Sequence, residues 1–296
     1  MKISLGSWAF AFGPYQSHPI SFDRAARRLA EAGYDGIEVC GFPPHVSLDR
    51  YPTAAPRREL RVFLQDLGLE CSGYAADLTS VNPAAAGNKQ KYLDLFQRNL
   101  ELCRDLRIPA IRVDSAAAPD SIPDAEYSAA RDRLVETWRD AADLGQAAGV
   151  RVVWEFEPGF AFNKPSEIRA IADAVNHSNF GILFDTSHAY MSAVMGARHR
   201  KTPEVLPGGV PEMLQVLERR IRHIHLIDSD GSLHNNETST HAPFGAGKID
   251  FASLAPQLLK IPDIEWWCID MCFWEGAWSL VDAAHEYVKN LLAAAN

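Results

Sequence analysis

The sequence predicts an α/β fold, a single-domain (β/α)8 TIM barrel spanning residues 1–296. Short apolar runs alternate with longer amphipathic stretches from end to end, and the alternation counts eight strand–helix units. Alternating β and α elements build a parallel sheet, and eight strands in one such sheet close it into a barrel. The 296 residues are close to the ~250 that a barrel of this kind uses, and no linker splits them. An open doubly wound sheet is the alternative, but the first βα turn carries no G-x-G-x-x-G.

The elements follow in order. Lys2 to Trp8 is the first strand. In SFDRAARRLAEAG, Phe22, Ala25, Ala26, Leu29 and Ala30 recur at helical spacing, and Gly33 stands at the stop position. YDGIEVCG is strand two, Arg58 to Leu67 a helix, and LECSGYAAD strand three. From Lys91 to Leu106 the residues Tyr92, Leu95, Phe96, Cys103 and Leu106 mark one helical face. AIRVDS is strand four, Asp124 to Ala148 a long helix, GVRVVWEFEPG strand five and PSEIRAIADAV a helix. FGILFDTSH reads as strand six, Pro211 to Arg220 as a helix, and RHIHLIDSD as strand seven. Phe251 to Leu259 is a helix, IEWWCIDM strand eight, and Ala277 to Ala295 the closing helix. Ser229 to Lys248 shows no regular pattern, and a loop of that length inside a compact domain is usually functional.

Composition narrows the function. Lys and Arg number 29 against 38 Asp and Glu, a formal charge of −9, so a nucleic acid partner is disfavoured and a small substrate favoured. No apolar run approaches the ~18 residues of a membrane span, and the N-terminus lacks the charged and apolar regions of a signal peptide. Five scattered cysteines suit a reducing compartment, and the expected location is cytoplasmic. Cys268 and Cys272 lack a second pair at zinc spacing and read as small buried hydrophobes.

A barrel carries its chemistry at the C-terminal ends of its strands. Those ends hold Glu38, Arg112 with Asp114, Glu155 with Glu157, Asp185 with His188, His223 with His225, and Asp270. Period-two alternation puts Glu155 and Glu157 on one face, His223 and His225 on one face, and Asp270 with Trp266 and Cys268. Glu155, Asp185, His225 and Asp270, on four successive strands, can then converge. Three carboxylates and an imidazole suit Mn²⁺, Mg²⁺, Co²⁺ or Zn²⁺, and three carboxylates do not all stay ionised cheaply without a cation. His223, a layer deeper, is read as a packed core histidine. Glu157 is read as a substrate or supporting group. Trp8 is allowed into the pocket as an aromatic face for a sugar.

WEFEPG (154–159), FDTSHAY (184–190), HIHLIDSDG (223–231), FGAGKIDF (244–251) and WWCIDMCFW (266–274), in this order and on these strands, resemble the xylose-isomerase-like barrels. These include sugar phosphate isomerases/epimerases, ketose epimerases, inosose-processing enzymes and apurinic-site endonucleases. The resemblance implies one divalent cation, Mn²⁺ foremost, held by Glu155, Asp185, His225 and Asp270. It also implies a substrate contact from His188, and strand-five and strand-eight carboxylates that double as acid and base. Two departures stand out: the strand-eight carboxylate is usually Glu, and an Arg of some ketose epimerases is Gly231 here. His241 before FGAG resembles an endonuclease zinc ligand, but the Asp two residues earlier is Ser239, and His45 is the only early-strand candidate. His188 and His241 are then free for substrate hydroxyls or acid/base work. A homo-oligomer is implied by the resemblance alone.

The expected activity is a metal-dependent isomerase or epimerase working through an enediolate on a keto-sugar or related polyol. Glu155 is the expected base, and Asp270, Glu157 or His188 returns the proton. A lyase or dehydratase on a keto-inositol or keto-glycoside is the alternative; a non-catalytic sugar-binding barrel and an apurinic-site endonuclease come after it. GAGK (245–248) is the one candidate phosphate turn and is read as a tight turn instead.

Overall fold

In the computed structural model, which describes residues 1–295, eight parallel strands close into a barrel. They are β1 (Lys2–Gly6), β2 (Gly36–Cys40), β3 (Glu70–Ala75), β4 (Ala110–Val113), β5 (Arg151–Glu155), β6 (Phe180–Asp185), β7 (Ile221–Leu226) and β10 (Trp266–Ile269), in the order β1-β10-β7-β6-β5-β4-β3-β2. A separate antiparallel hairpin, β8 (Asp228–His234) and β9 (Thr238–Ala242), follows β7. Nine α-helices occur among the described residues: α1 (Phe22–Glu31), α2 (Ala54–Asp66), α3 (Lys89–Leu106), α4 (Tyr127–Ala148), α5 (Pro165–Val175), α6 (Thr186–Ala193), α7 (Gly209–Leu217), α8 (Phe251–Leu258) and α9 (Val281–Ala295). No described helix is long and apolar enough to cross a membrane.

Alternation along each strand divides the barrel into two environments. Outward residues such as Ile37, Val39, Ile111, Val113, Ile182, Phe184, Ile224 and Leu226 join the helices in one apolar core. Trp138 of α4 shows how tightly they meet, its ring 5.0 Å from Trp154 of β5 and 5.6 Å from Phe180 of β6. Inside the barrel the apolar layer is thin, with Ala110, Val153 and Leu183 forming a small cluster of their own. Trp8, Cys40, Ala75, Cys268 and Cys272 form a second small cluster towards the mouth, and between them the interior is polar and buried: Ser4, Glu38, Ser72, Glu155, Asp185, His223 and His225. The hydrophobic effect therefore holds the shell, while the inside of the barrel is left for charge.

The structure corrects the expected elements after β5. Strand six stops at Asp185, because Asp185 caps α6: its Oδ1 accepts the His188 backbone N–H at 2.8 Å. Strand seven stops at Leu226, and strand eight at Ile269, one residue short of Asp270. The segment 229–248, read as irregular, is largely the β8–β9 hairpin, with Ser229 opposite His241 and His234 opposite Thr238. Its turn is Asn235-Asn236, both with positive φ (52° and 57°), the pairing that tight hairpins favour. The hairpin strands are polar on both faces, so no hydrophobic alternation marked them.

Asp228 fastens the hairpin and the segment behind it. Its buried carboxylate accepts the backbone N–H groups of Gly245, Gly247 and Ile249, each at 3.0 Å, and its own neighbour Ser229 at 2.8 Å. A side chain at Gly247 would collide with Asp228, so glycine is needed there for close approach. The GAGK turn thus wraps one of the chain's own carboxylates, in agreement with its reading as a tight turn. Asp228→Ala removes the acceptor of all four donors and is expected to destabilise the fold by about 3 kcal/mol. Urea unfolding checks this as a lowered midpoint; an unchanged midpoint would show that the cradle contributes little.

Candidate functional site

The C-terminal mouth of the barrel holds a cavity of about 150 Å³ lined by Trp8, Arg112, Glu155, Glu157, His188, His241 and Asp270 among others. A larger hollow of about 500 Å³ lies at the opposite end beside Arg151, Arg222 and Trp266. The smaller one is the candidate site, because Glu155, Glu157, His188, His241 and Asp270 line it and barrel chemistry belongs to that end.

Glu155 ends β5, Asp185 ends β6, His225 stands near the end of β7, and Asp270 follows β10. One ligand atom from each of the four lies within 4.8 Å of the others. All four side chains are buried, between 0% and 3% exposed. Asp185 Oδ2 has no hydrogen-bond partner within the protein, and Glu155 Oε1 and His225 Nδ1 face each other at 3.0 Å. Buried polar atoms are nearly always satisfied, so an unpartnered carboxylate oxygen beside two more carboxylates and an imidazole gathered at one point fits a divalent cation of mixed O/N preference. Asp185 unites two readings of a strand-end aspartate, since Oδ1 caps α6 while Oδ2 is left over.

Each of these groups is held from behind. His225 Nε2 lies 3.1 Å from Glu38 Oε1, and His223 Nε2 lies 2.7 Å from Glu38 Oε2. A carboxylate on Nε2 holds the ring with Nδ1 turned towards Glu155 and Asp270, the usual arrangement behind a ligating histidine. His223 is thus the packed, hydrogen-bonded histidine the sequence implied. Glu38 was noted at the end of strand two without a role; its connection to β7 depends on the barrel closing. Burial opposes charge on Glu38, but His223 and His225 hold it well below the usual carboxylate range. Burial likewise opposes charge on His225, and Glu38 foremost pushes it well above the ordinary histidine value.

Arg112 is the second group without an assigned role that the structure brings in. Its Nη1 lies 2.6 Å from Glu155 Oε2, and the rest of its guanidinium grips Asp114 at 3.1 and 3.2 Å. Burial raises Glu155, yet Arg112 and then His225 outweigh it and hold the carboxyl at about 2. Glu157, half-buried and hydrogen-bonded by the Thr238 hydroxyl, is pushed up by burial to about 7. Asp185 also rises to about 7 through burial.

The hairpin closes the site. It brings Thr238 to Glu157, Ser239 Oγ to 2.7 Å from His188 Nδ1, and His241 Nδ1 to 3.2 Å from Asp270 Oδ1. Burial lowers His188 to about 3, while Asp270 foremost overcomes the burial of His241 and raises it to about 9. Asp270 Oδ1 also accepts the Trp8 indole N–H at 2.7 Å and the Cys272 N–H at 2.8 Å. Trp8, on a short 3₁₀ turn after β1, tilts its ring over His225 at 5.4 Å between centroids. The structure therefore gathers every residue singled out for the site: Trp8, Glu155, Glu157, Asp185, His188, His225, His241 and Asp270. His45 is outside it, buried against Phe22 and bonded to the Ile20 carbonyl. Cys268 and Cys272 are free and buried, and burial holds both thiols well above their ordinary value.

Glu38→Gln keeps the shape but removes the charge behind His225, and is expected to weaken Mn²⁺ binding by roughly 10- to 100-fold. Isothermal titration of metal-stripped protein measures this; unchanged affinity would leave Glu38 a packing residue. His225→Ala is expected to lose most bound metal by elemental analysis, and one ion per chain in that variant would exclude this ligand set.

Comparisons with known proteins agree with the architecture. The Xylose isomerase-like TIM barrel family matches residues 26–290. Fructoselysine 3-epimerase of Escherichia coli O157:H7 is 20% identical over 250 residues, covering 83% of this chain and 82% of that protein. The crystal structure of a D-tagatose 3-epimerase-like protein superposes with a TM-score of 0.77 at 18% identity, over 100% of this chain and 98% of the other. The IOLI protein, solved with a binding zinc atom, gives 0.74 at 18% identity over 100% and 98%. At these identities the structures speak for the fold, while the family match covers most of the sequence. The chain belongs to the xylose isomerase-like TIM barrel family.

Proposed function

We propose that this chain is a divalent-metal-dependent sugar isomerase or epimerase that moves a proton beside the carbonyl of a keto-sugar or related polyol. One observation carries the reading: Glu155, Asp185, His225 and Asp270 converge on one point beneath the cavity at the mouth, with the buried Asp185 Oδ2 left unpartnered. These four residues would hold the cation. When bound, the cation supplies a fixed positive charge that polarises the substrate carbonyl and favours loss of the neighbouring proton. Mn²⁺ is the ion proposed, since three carboxylates and one imidazole without a thiolate suit it. The epimerase names among the relatives, and the zinc bound by the IOLI protein, support the same class.

The protein's own residues divide the work. Arg112 steadies Glu155 through Oε2 and keeps the carboxylate ionised, so Glu155 takes the C–H proton. Glu157 and His188 face the same cavity and return it. Return to the opposite face of the same carbon epimerises it; return to the neighbouring carbon exchanges aldose for ketose. His241 and Trp8 bind substrate around Asp270. The apolar rim and the closed hairpin limit water at the reacting carbon.

A second reading has its own observation. A symmetric epimerase needs two free carboxylates on opposite faces of the substrate. Asp270 Oδ1 already accepts two N–H groups and faces His241, which suits orientation better than proton transfer. One base with histidine acids would serve an elimination. The C–H electron pair forms the new double bond, the bond to the leaving group on the next carbon breaks, and a histidine protonates the departing oxygen.

Deuterium uptake by NMR, with Mn²⁺-loaded protein and a panel of ketoses, keto-inositols and keto-glycosides, tests both. Exchange beside the carbonyl with the skeleton intact supports the isomerase or epimerase, and a new double bond or a released group supports the lyase. Glu155→Gln is expected to slow exchange by at least ~10²-fold, the low end of a general base's contribution; full exchange in that variant moves the base elsewhere. Asp270→Glu is expected to raise epimerase turnover if the site is a shortened epimerase site, and to lower it if the pocket is built around Asp.

A further inference from the structure

The cavity has two unlike walls. Arg112, Glu155, Glu157, His188, Thr238, His241 and Asp270 form one, supplied by β4, β5, the start of α6, the hairpin and the residue after β10. Trp8, Phe12, Phe42, Ala75, Cys272 and Phe273 form the other, supplied by the segments that end or follow β1, β2, β3 and β10. The aromatic rings are arranged against one another. Phe12 meets Phe42 edge-on with centroids 5.5 Å apart, and lies near-parallel to Phe273 at 6.5 Å. His234, at the end of β8, stacks on Phe273 at 4.3 Å and 9° and extends the wall across the hairpin. Phe12, Phe42 and Phe273 are half-buried.

A bare polyol leaves most of the phenylalanine wall unused. It carries a hydroxyl on nearly every carbon, and those on the apolar side would lose water and gain no partner. A sugar can stack its C–H face on one aromatic ring, but only where polar groups collect the hydroxyls at the ring's edge. Phe12, Phe42 and Phe273 carry no polar side-chain atom, the Trp8 N–H is already given to Asp270, and His234 Nε2 lies 3.0 Å from Asn235 Nδ2. Phenylalanines meeting edge-to-face around an open mouth instead match another flat apolar ring.

We infer that the apolar wall is a second subsite, and that the substrate is a sugar bearing an aryl substituent, its polyol part against the carboxylates and its ring among Phe12, Phe42 and Phe273. This rests on the proposed keto-sugar reading and narrows its substrate class. An aryl group held there lies outside the charged floor, where it can be retained through an isomerisation or depart in an elimination.

The test is binding, read without turnover. Isothermal titration of the Mn²⁺-loaded protein with methyl and phenyl glucosides, both anomers, gives a phenyl-to-methyl affinity ratio. A ratio of ten or more is expected for at least one anomer, falling towards one in Phe42→Ala and Phe12→Ala. Phe42→Leu, which keeps most of the volume, is expected to fall between. A ratio near one in the native protein, a ratio unchanged in the phenylalanine variants, or no binding of any of the four glucosides overturns the subsite. The deuterium-exchange panel is a separate readout. Exchange on simple ketoses with no aryl preference sinks the subsite alone; aryl preference without exchange on any substrate sinks the proposed reaction and leaves the subsite.

Discussion

The inside of this barrel is charged, and most of the local design follows from compensating that charge. Glu38, Glu155, Asp185, Asp270 and Asp114 are each at most 3% exposed. Several buried carboxylates repel one another and resist leaving water, so each must be hydrogen-bonded, paired with a cation, or protonated. Glu38 is matched by two imidazoles, and Asp114 and Glu155 share Arg112. Asp185 caps a helix with one oxygen and keeps the other without a partner. What the protein does not compensate by itself sits at the mouth, where a cation would complete the balance.

Stability and chemistry are thereby separated in space. The apolar core lies between strands and helices and holds the shell together without help from the interior. This leaves strand ends free to carry groups that would weaken an ordinary core. Support for the charged groups comes from across the barrel: β2 reaches β7 through Glu38, and β4 reaches β5 through Arg112. The β8–β9 hairpin adds a third layer over the mouth. It is polar because its side chains answer Glu157, His188 and Asp270 and do not pack into a core.

The hairpin is also where local pattern and structure part company. Hydrophobic periodicity finds elements that bury one face, which is why the eight barrel strands and their helices other than α6 could be read directly from the residues. A hairpin of Asp, Ser, Thr and His buries its polar atoms against other polar atoms and leaves no such signature. Its one local sign is the Asn235-Asn236 turn with positive φ at both positions. The early ends of β6 and β7 have a similar cause. Asp185 reads as the last polar residue of a strand, but its side chain starts a helix, and Thr186 ties that helix to the Ile227 backbone in both directions, at 2.7 and 2.9 Å.

By itself the sequence determined the fold class, the strands that carry chemistry and the residue types at their ends, because periodicity and strand order are properties of neighbours along the chain. It also placed Glu155, Asp185, His225 and Asp270 on successive strands, which closure of the barrel turns into a common point. Only the tertiary structure decided what stands behind them. Glu38 and His225 are 187 residues apart, and Trp8 and Asp270 are 262 apart. Such pairings exist only once β1 meets β10 and the sheet closes. Likewise, the division of the cavity into a charged wall and an aromatic one was decided by which segments came to face each other across the mouth, since Phe12, Phe42 and Phe273 are remote in sequence and share no local pattern.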